Sequence, residues 1–401
     1  MTSEWHEVPL RELVGYISKG IAPSYAEEAS ETTIRVLNQK CNRNFRISYG
    51  DSRLHDTLKK KVPPERYVKP DDILINSTGA GTAGRIAQIE DVPSATTIDG
   101  HMILIRSNGK VTQKFLGYAL KAHQWEVLQL DEGSTGQTEL NRDRLLDEIM
   151  INYPVSFDEQ NAIVGTLESI DRKLIVNKEI NDNLEQQAQS YFQELFVDNA
   201  DPEWAIGTIS DLGTVVGGST PSKAKPEYYT ESGIAWITPK DLSINKSKFV
   251  SHGENDITEL GLKNSSAATM PEGTVLFSSR APIGYIAIAA GEVTTNQGFK
   301  SVVPKPEIGT PFVYFFLKNT LPVIEGMASG STFKEVSGST MKNVPAVIPD
   351  AETLAKFSDF CAPIFAQQRI LEEQNQSLAT LRDNLLPKLM SGEIDVSAVQ
   401  L

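Results

Sequence analysis

The sequence predicts an α+β chain: two repeated β-rich α/β units, related by a pseudo-twofold and separated by a pair of long antiparallel coiled-coil helices. Three observations lead there. The chain of 401 residues carries the same series of blocks twice, about half a length apart. Each copy opens with short β-like runs punctuated by Gly, Pro, Asn and Asp. Each copy closes on one long amphipathic stripe whose other faces are Gln, Asn and Glu.

The repeat is followed block by block. "EWHEVPLRELVGYISKGIAPS" at Glu4 sets against "EWAIGTISDLGTVVGGSTPS" at Glu203. "DDILINSTGAGTAGRIA" at Asp71 sets against "GTVLFSSRAPIGYIA" at Gly273, and "TTIDG" at Thr96 against "TTNQG" at Thr294. "FLGYALK" ending at Lys121 meets "VYFFLK" ending at Lys318, two Gly-Ser-Thr blocks start at Gly133 and Gly330, and Pro154 meets Pro349. Offsets drift only from about 202 to 194, and a shared order of that kind marks an internal duplication. The expected division is 1–155, a first globular unit; 156–200, a central helix; 201–349, a second unit; and 350–401, a C-terminal helix.

Within the helices, apolar side chains fall three or four residues apart, or at sums of these. The first stripe runs through Ile163, Leu167, Ile170, Leu174, Ile180, Leu184, Tyr191 and Leu195, the second through Leu354, Phe357, Cys361, Ile364, Leu371, Leu378, Leu381, Leu385 and Leu389. So narrow a stripe suits a coiled-coil seam, and the simplest partner for each copy is the other. Roughly 35–40 residues at ~1.5 Å each make a rod on the order of 50–60 Å, a ruler between two heads.

Hydrophobic content of 40% and charged content of 22% describe a soluble globular protein. No apolar run approaches the ~18 residues of a membrane span, and the opening "MTSEWHEVPLREL" lacks a basic-then-apolar leader pattern. Cys41 and Cys361 fit no disulfide or ligand spacing, so a cytoplasmic protein with no membrane partner is expected. The formal net charge of −14 opposes nucleic acid only until its distribution is counted. Residues 1–155 carry 21 acids and 19 bases, and 201–349 carry 14 and 12. The helical segments hold the excess: 9 acids against 3 bases in 156–200, and 8 against 4 in 350–401.

Catalytic patterns fail one by one. "GAGTAG" at Gly79 matches G-x-G-x-x-G, but a dinucleotide site needs a helix to begin there, and "RIAQIEDVP" reads as a strand. His6, His55, His101, His123 and His252 are scattered without metal-ligand spacing. There is no nucleophile elbow and no Walker A sequence. The expectation is a chain that catalyses nothing and binds no cofactor or metal of its own.

Binding remains. Between Arg35 and Lys69 stand ten bases against three acids: Arg35, Lys40, Arg43, Arg46, Arg53, Lys59, Lys60, Lys61, Arg66 and Lys69, interleaved with Phe45 and Tyr49. Long cations neutralise phosphates, and Arg, Asn and Gln read base edges by paired hydrogen bonds. The second unit offers a thinner set: Thr220, Lys223, Lys225, Lys240, Lys246, Lys248, Arg280 and Lys300. A solvated basic face is the plainer account of both sets.

At these residues the chain resembles the specificity subunits of type I restriction–modification enzymes. The resemblance runs through "GGSTPS", "YYTESGIAWITPKDL", "VLFSSRAPIGYIAIAAGEVTTNQGFKSVVP" and the closing "LRDNLLPKLMSGEI", and in the first unit through "DDILINSTGAGTAGRIA", "TTIDGHMILIR" and "YPVSFDEQNAIVGTLESIDRKL". It implies two target-recognition domains, each reading one half of a bipartite, asymmetric target in double-stranded DNA. It also implies helices that set the spacer and dock two adenine-N6 methyltransferase subunits. Those subunits carry S-adenosylmethionine, and translocating restriction subunits complete the complex. The competing reading is a coiled-coil scaffold whose globular heads hold protein partners. An enzyme in its own right stands third.

Overall fold

The computed structural model describes residues 4–132, 139–330 and 334–399. The chain divides into two compact units: Met1–Lys173 with Leu378–Leu401, and Leu174–Ser377. The Gly-Ser-Thr blocks, apart from Gly330, lie outside the described residues.

Unit 1 is built on an antiparallel sheet in the order Val14–Lys19, Met102–Ser107, Ile73–Asn76, Ile86–Gln88. Unit 2 repeats that order with Gly213–Gly217, Lys300–Pro304, Val275–Ser279 and Ile283–Ala289, and adds Phe249–Val250 parallel to the last strand. Two further pairings also recur. Thr96–Ile98 runs parallel to Thr33–Leu37, as Thr294–Thr295 runs parallel to Trp236–Ile237. Trp5–Pro9 lies antiparallel to Met150–Pro154, as Ala205–Thr208 does to Pro345–Ile348.

The central strands are apolar on both faces because both faces are covered, and successive side chains point opposite ways. Ile73 and Ile75 enter a core with Phe115, Leu116 and Leu120 of the helix Gln113–Ala122. Leu74 joins Leu37, Ile98 and Leu104 on the other side. In unit 2 the same alternation sends Val275 and Phe277 toward Phe312 and Phe315 of the helix Thr310–Met327, while Leu276 packs with Ile237 and Val250. Ile86–Gln88 forms the strand expected after "GAGTAG", with Gly79, Gly81 and Gly84 all at positive φ in the intervening loop. That loop turns the chain into a strand and opens no helix.

The long helices are Phe157–Gln193, continued by one π-helical turn over Glu194–Asp198, and Ala351–Met390. Their apolar stripes do not face only each other. In unit 1, Ile163 and Leu167 are buried in one cluster with Leu386, Leu389 and Met390, and that cluster is also the core of the globular body. Ile170 is buried, while Leu378 and Leu385 are half-buried. In unit 2, Leu371 is buried and Leu174 half-buried. Leu184 and Tyr191, likewise half-buried, pack against the cluster of Phe312 and Phe357.

Two seam assignments are corrected. Leu381 and Ile180 are 41% and 42% exposed, because polar residues occupy the contact beside them. Arg382 takes the inward place and reaches Asp171 at 3.1 Å. In unit 2, fully buried Asn177 donates to the Asn375 side chain at 3.0 Å, Asn375 donates to the Leu174 carbonyl, and Asn181 donates to Glu372. Partner numbers fall as helix numbers rise, so the two segments there run antiparallel. Buried amides of this kind fix register at some cost in stability.

Candidate nucleic-acid interface

In unit 1 the basic segment spans the strands Thr33–Leu37 and Arg53–Asp56 and the loops beside them. Several cations are tied to the protein. Arg35 donates to Ser52, Arg46 pairs with Glu90 at 2.8 Å, and the Arg53 guanidinium sits 3.4 Å over the Tyr25 ring. Lys60 donates to the Ala22 carbonyl, Arg66 to that of Gly20 and Arg43 to that of Lys40, while Lys59 stands 3.9 Å from Asp56. Lys40, Lys61 and Lys69 are exposed. All ten stay at least partly accessible.

Arg43 also lines a cleft of about 600 Å³ with Asn42, Phe45, Arg85, Lys121 and Gln124. Asn44 and Phe45 are at positive φ there, and the Lys121 ammonium lies 4.4 Å from the Phe45 ring. Burial lowers the Lys121 pKa against the pull of Asp171, 3.1 Å away. Arg85, Lys121 and Gln124 escaped the sequence reading of the site, although "FLGYALK" had marked the Lys121 helix as part of the repeat.

Unit 2 brings four of its expected residues together. Thr220, Lys223, Lys240 and Arg280 line one cleft of about 640 Å³, with Tyr229, Trp236, Asn255, Asn296 and Gln297. Lys240 pairs with Glu254 at 2.5 Å and Arg280 with Glu335 at 3.5 Å. Lys225 donates to the Tyr228 hydroxyl, and Lys246 to the Leu242 carbonyl beside the Tyr285 ring. Lys300 is half-buried, 3.8 Å from Glu335, and burial lowers its pKa.

Lys248 is the clear correction. Its side chain is 5% exposed, ion-paired with Glu185, hydrogen-bonded to Gln368 at 2.6 Å, and 3.9 Å from the Phe365 ring. Its chemistry is internal. Glu185 also holds Lys318 at 2.5 Å and accepts from the Tyr314 hydroxyl. Burial alone would raise the Glu185 pKa, but the two ammonium groups outweigh it and hold the carboxyl below its usual range.

Asn296 and Gln297 are the residues that charge counting missed. Their signal was the "TTNQG" block, which repeats "TTIDG" but places the amide pair Asn-Gln where the first copy has Ile-Asp. Among the described residues no cluster of His, Cys, Asp and Glu has metal-site geometry, and no helix is long and apolar enough to cross a membrane.

A family model described as the type I restriction modification DNA specificity domain matches residues 2–186 and again 202–381. Over 194 residues the chain is 38% identical to the type I restriction enzyme MjaIX specificity subunit of Methanocaldococcus jannaschii, a match covering 46% of this chain and 45% of that protein. It is 27% identical over 194 residues to the HindI specificity subunit of Haemophilus influenzae, covering 48% and 42%. The chain therefore spans about half the length of these curated relatives. The crystal structure of the S subunit of a type I restriction–modification system from M. genitalium has the same fold, with a TM-score of 0.62 at 17% identity over 97% of this chain and 96% of that one. With both copies of the repeat matched, the chain belongs to the family of type I restriction–modification specificity subunits.

Proposed function

We propose that this chain is the DNA-reading subunit of a type I restriction–modification complex. It recognises a bipartite, asymmetric target, with residues 1–155 reading one half and residues 201–349 the other. The helical segments 156–200 and 350–401 set the unspecified spacer and dock two methyltransferase subunits, which carry S-adenosylmethionine and perform the chemistry; translocating restriction subunits join that assembly.

One observation carries the reading: the same scaffold occurs twice with different side chains at corresponding places. The bridge between Thr78 and Glu139 in unit 1 corresponds to that between Arg280 and Glu335 in unit 2. Asp99 likewise stands where unit 2 has Gln297, in "TTIDG" against "TTNQG". A common frame with divergent polar side chains suits two readers of different sequences. The acidic excess lies mainly in the helical segments, which leaves the globular units nearly balanced and free to meet phosphates.

The test exchanges residues 1–155 for the corresponding unit of a relative and assembles the chimera with its methyltransferase subunits. Sequencing of methylated bases should show one half-site changed and the other intact. A chimera in which both halves change refutes the division of labour.

A further inference from the structure

The cleft of unit 2 contains a glutamine whose surroundings are built to hold it. The Trp236 indole donates to the Ser219 carbonyl at 3.0 Å, and the Tyr229 hydroxyl donates to the Pro221 carbonyl at 2.6 Å. The two rings meet edge to face at 5.6 Å. Both carbonyls flanking Thr220 are thus pinned by aromatic side chains. The Thr220 hydroxyl in turn donates to Oε1 of Gln297. Gln297 is exposed, whereas its neighbour Asn296 is committed to a turn, accepting the Gly298 N–H at 2.8 Å.

A carbonyl oxygen has two lone pairs, so the Thr220 bond leaves Gln297 one acceptor site and both amide donors. That set matches the major-groove edge of adenine, which offers an N6 donor beside an N7 acceptor. Unit 1 lacks it. At the corresponding place Asp99 is 2% exposed and accepts the His101 N–H at 2.9 Å.

We propose that Gln297, oriented by Thr220, is a specificity-determining residue that reads an adenine in the half-site bound by unit 2. The inference rests on the DNA-reading role proposed above. Lys223, Lys240 and Arg280 line the same cleft and supply cations for the flanking phosphates. Thr220 is a positioning residue, acting only through the Gln297 amide.

The test assembles the full chain with its methyltransferase subunits, presents a randomised double-stranded DNA library, and reads methylated bases by sequencing. Gln297→Ala should relax the preference for adenine at one position of the unit 2 half-site, by on the order of 10- to 100-fold. The remaining positions, the other half-site and the salt dependence of binding should be unchanged. Thr220→Val should relax the same position, and Thr220→Ser should restore it, which a merely structural role for Thr220 would not produce. Full adenine preference in the Gln297→Ala complex overturns the inference, as does an even loss over every position. A parent complex with no sequence preference at all would instead overturn the DNA-reading role, and this inference with it.

Discussion

Replacing Glu185 by Gln should destabilise unit 2 by about 3 kcal/mol, the lower end of what removing one partner from a buried pair costs. The new amide would keep a hydrogen bond but leave two ammonium groups without their anion. Lys248 suffers most, since its side chain is 5% exposed and lies over Phe365 and Tyr314. Lys318 is 31% exposed and can turn to water. At an effective dielectric near 20, one ion pair at ~4 Å corresponds to about 4 kcal/mol, which is of the same order as that loss. For a unit of this size the melting temperature should fall by on the order of 6–12 °C.

Calorimetry at pH 7, with the unit 1 transition as internal reference, measures the shift. The pH dependence adds a signature. Glu185 has a folded pKa below its unfolded value, so its contribution is complete above the unfolded pKa and is lost as pH falls through the folded one. The gap between parent and variant should therefore begin to narrow as pH falls below the unfolded glutamate value of about 4.3, and close only below the folded pKa. Burial already lowers the Lys248 pKa, and without Glu185 it falls further. Raising the pH toward the unfolded lysine value should then recover part of the variant's stability, because the unfolded chain binds the extra proton. Adding Lys248→Met removes the orphaned charge and should recover most of the loss. A Glu185→Gln protein that melts within 2 °C of the parent (about 1 kcal/mol or less), or a gap that persists in acid, refutes the reasoning.

Replacing Lys59, Lys60 and Lys61 by Ala should weaken binding to cognate and unrelated DNA alike, with the log–log salt slope shallower by up to ~0.9 for each phosphate no longer neutralised; weakening confined to the cognate sequence would mean that they do not anchor phosphates. Burial raises the thiol pKa of Cys41 and pushes that of Cys361 up to about 12. Neither should react with a thiol-specific disulfide reagent at pH 8 until the chain is denatured, and even one rapid equivalent in the native protein would contradict that burial. Inserting four residues after Asn177, with four more after Glu373 to preserve the amide pairing on both sides of the insert, should add ~6 Å of helix and lengthen the DNA spacer by one or two base pairs, with both half-sites unchanged. An unaltered spacer in a variant that still methylates rules out the helices as the ruler.

Duplication was legible because it is written in backbone requirements and apolar patterning rather than in surface chemistry. The prolines at or just after the closing strand (Pro154, Pro349), the tryptophans at or just before the opening one (Trp5, Trp204) and the alternating apolar runs all persist where side chains toward solvent have diverged. Trp5 and Trp204 show the depth of this: each indole donates to an acid at the start of a long helix, Glu159 in one unit and Asp350 in the other. Side-chain roles were less legible, because charge in a sequence carries no record of burial. Lys40 and Lys248 look alike as letters. One is exposed, while the other is enclosed by aromatic rings and an acid far away along the chain.

The helix seam failed for a related reason. A stripe continued by spacing alone passes through Ile180 and Leu381, but hydrogen bonds among amides and the Asp171–Arg382 pair already occupy the contact there. Gln297 was hidden most completely, since an uncharged amide in a loop gives no compositional signal. What distinguishes it is a threonine fixed by two aromatic rings, all three contributed by segments of unit 2 well upstream of the glutamine. Specificity of this kind resides in how firmly a donor and acceptor are held before DNA arrives, and that firmness exists only after folding.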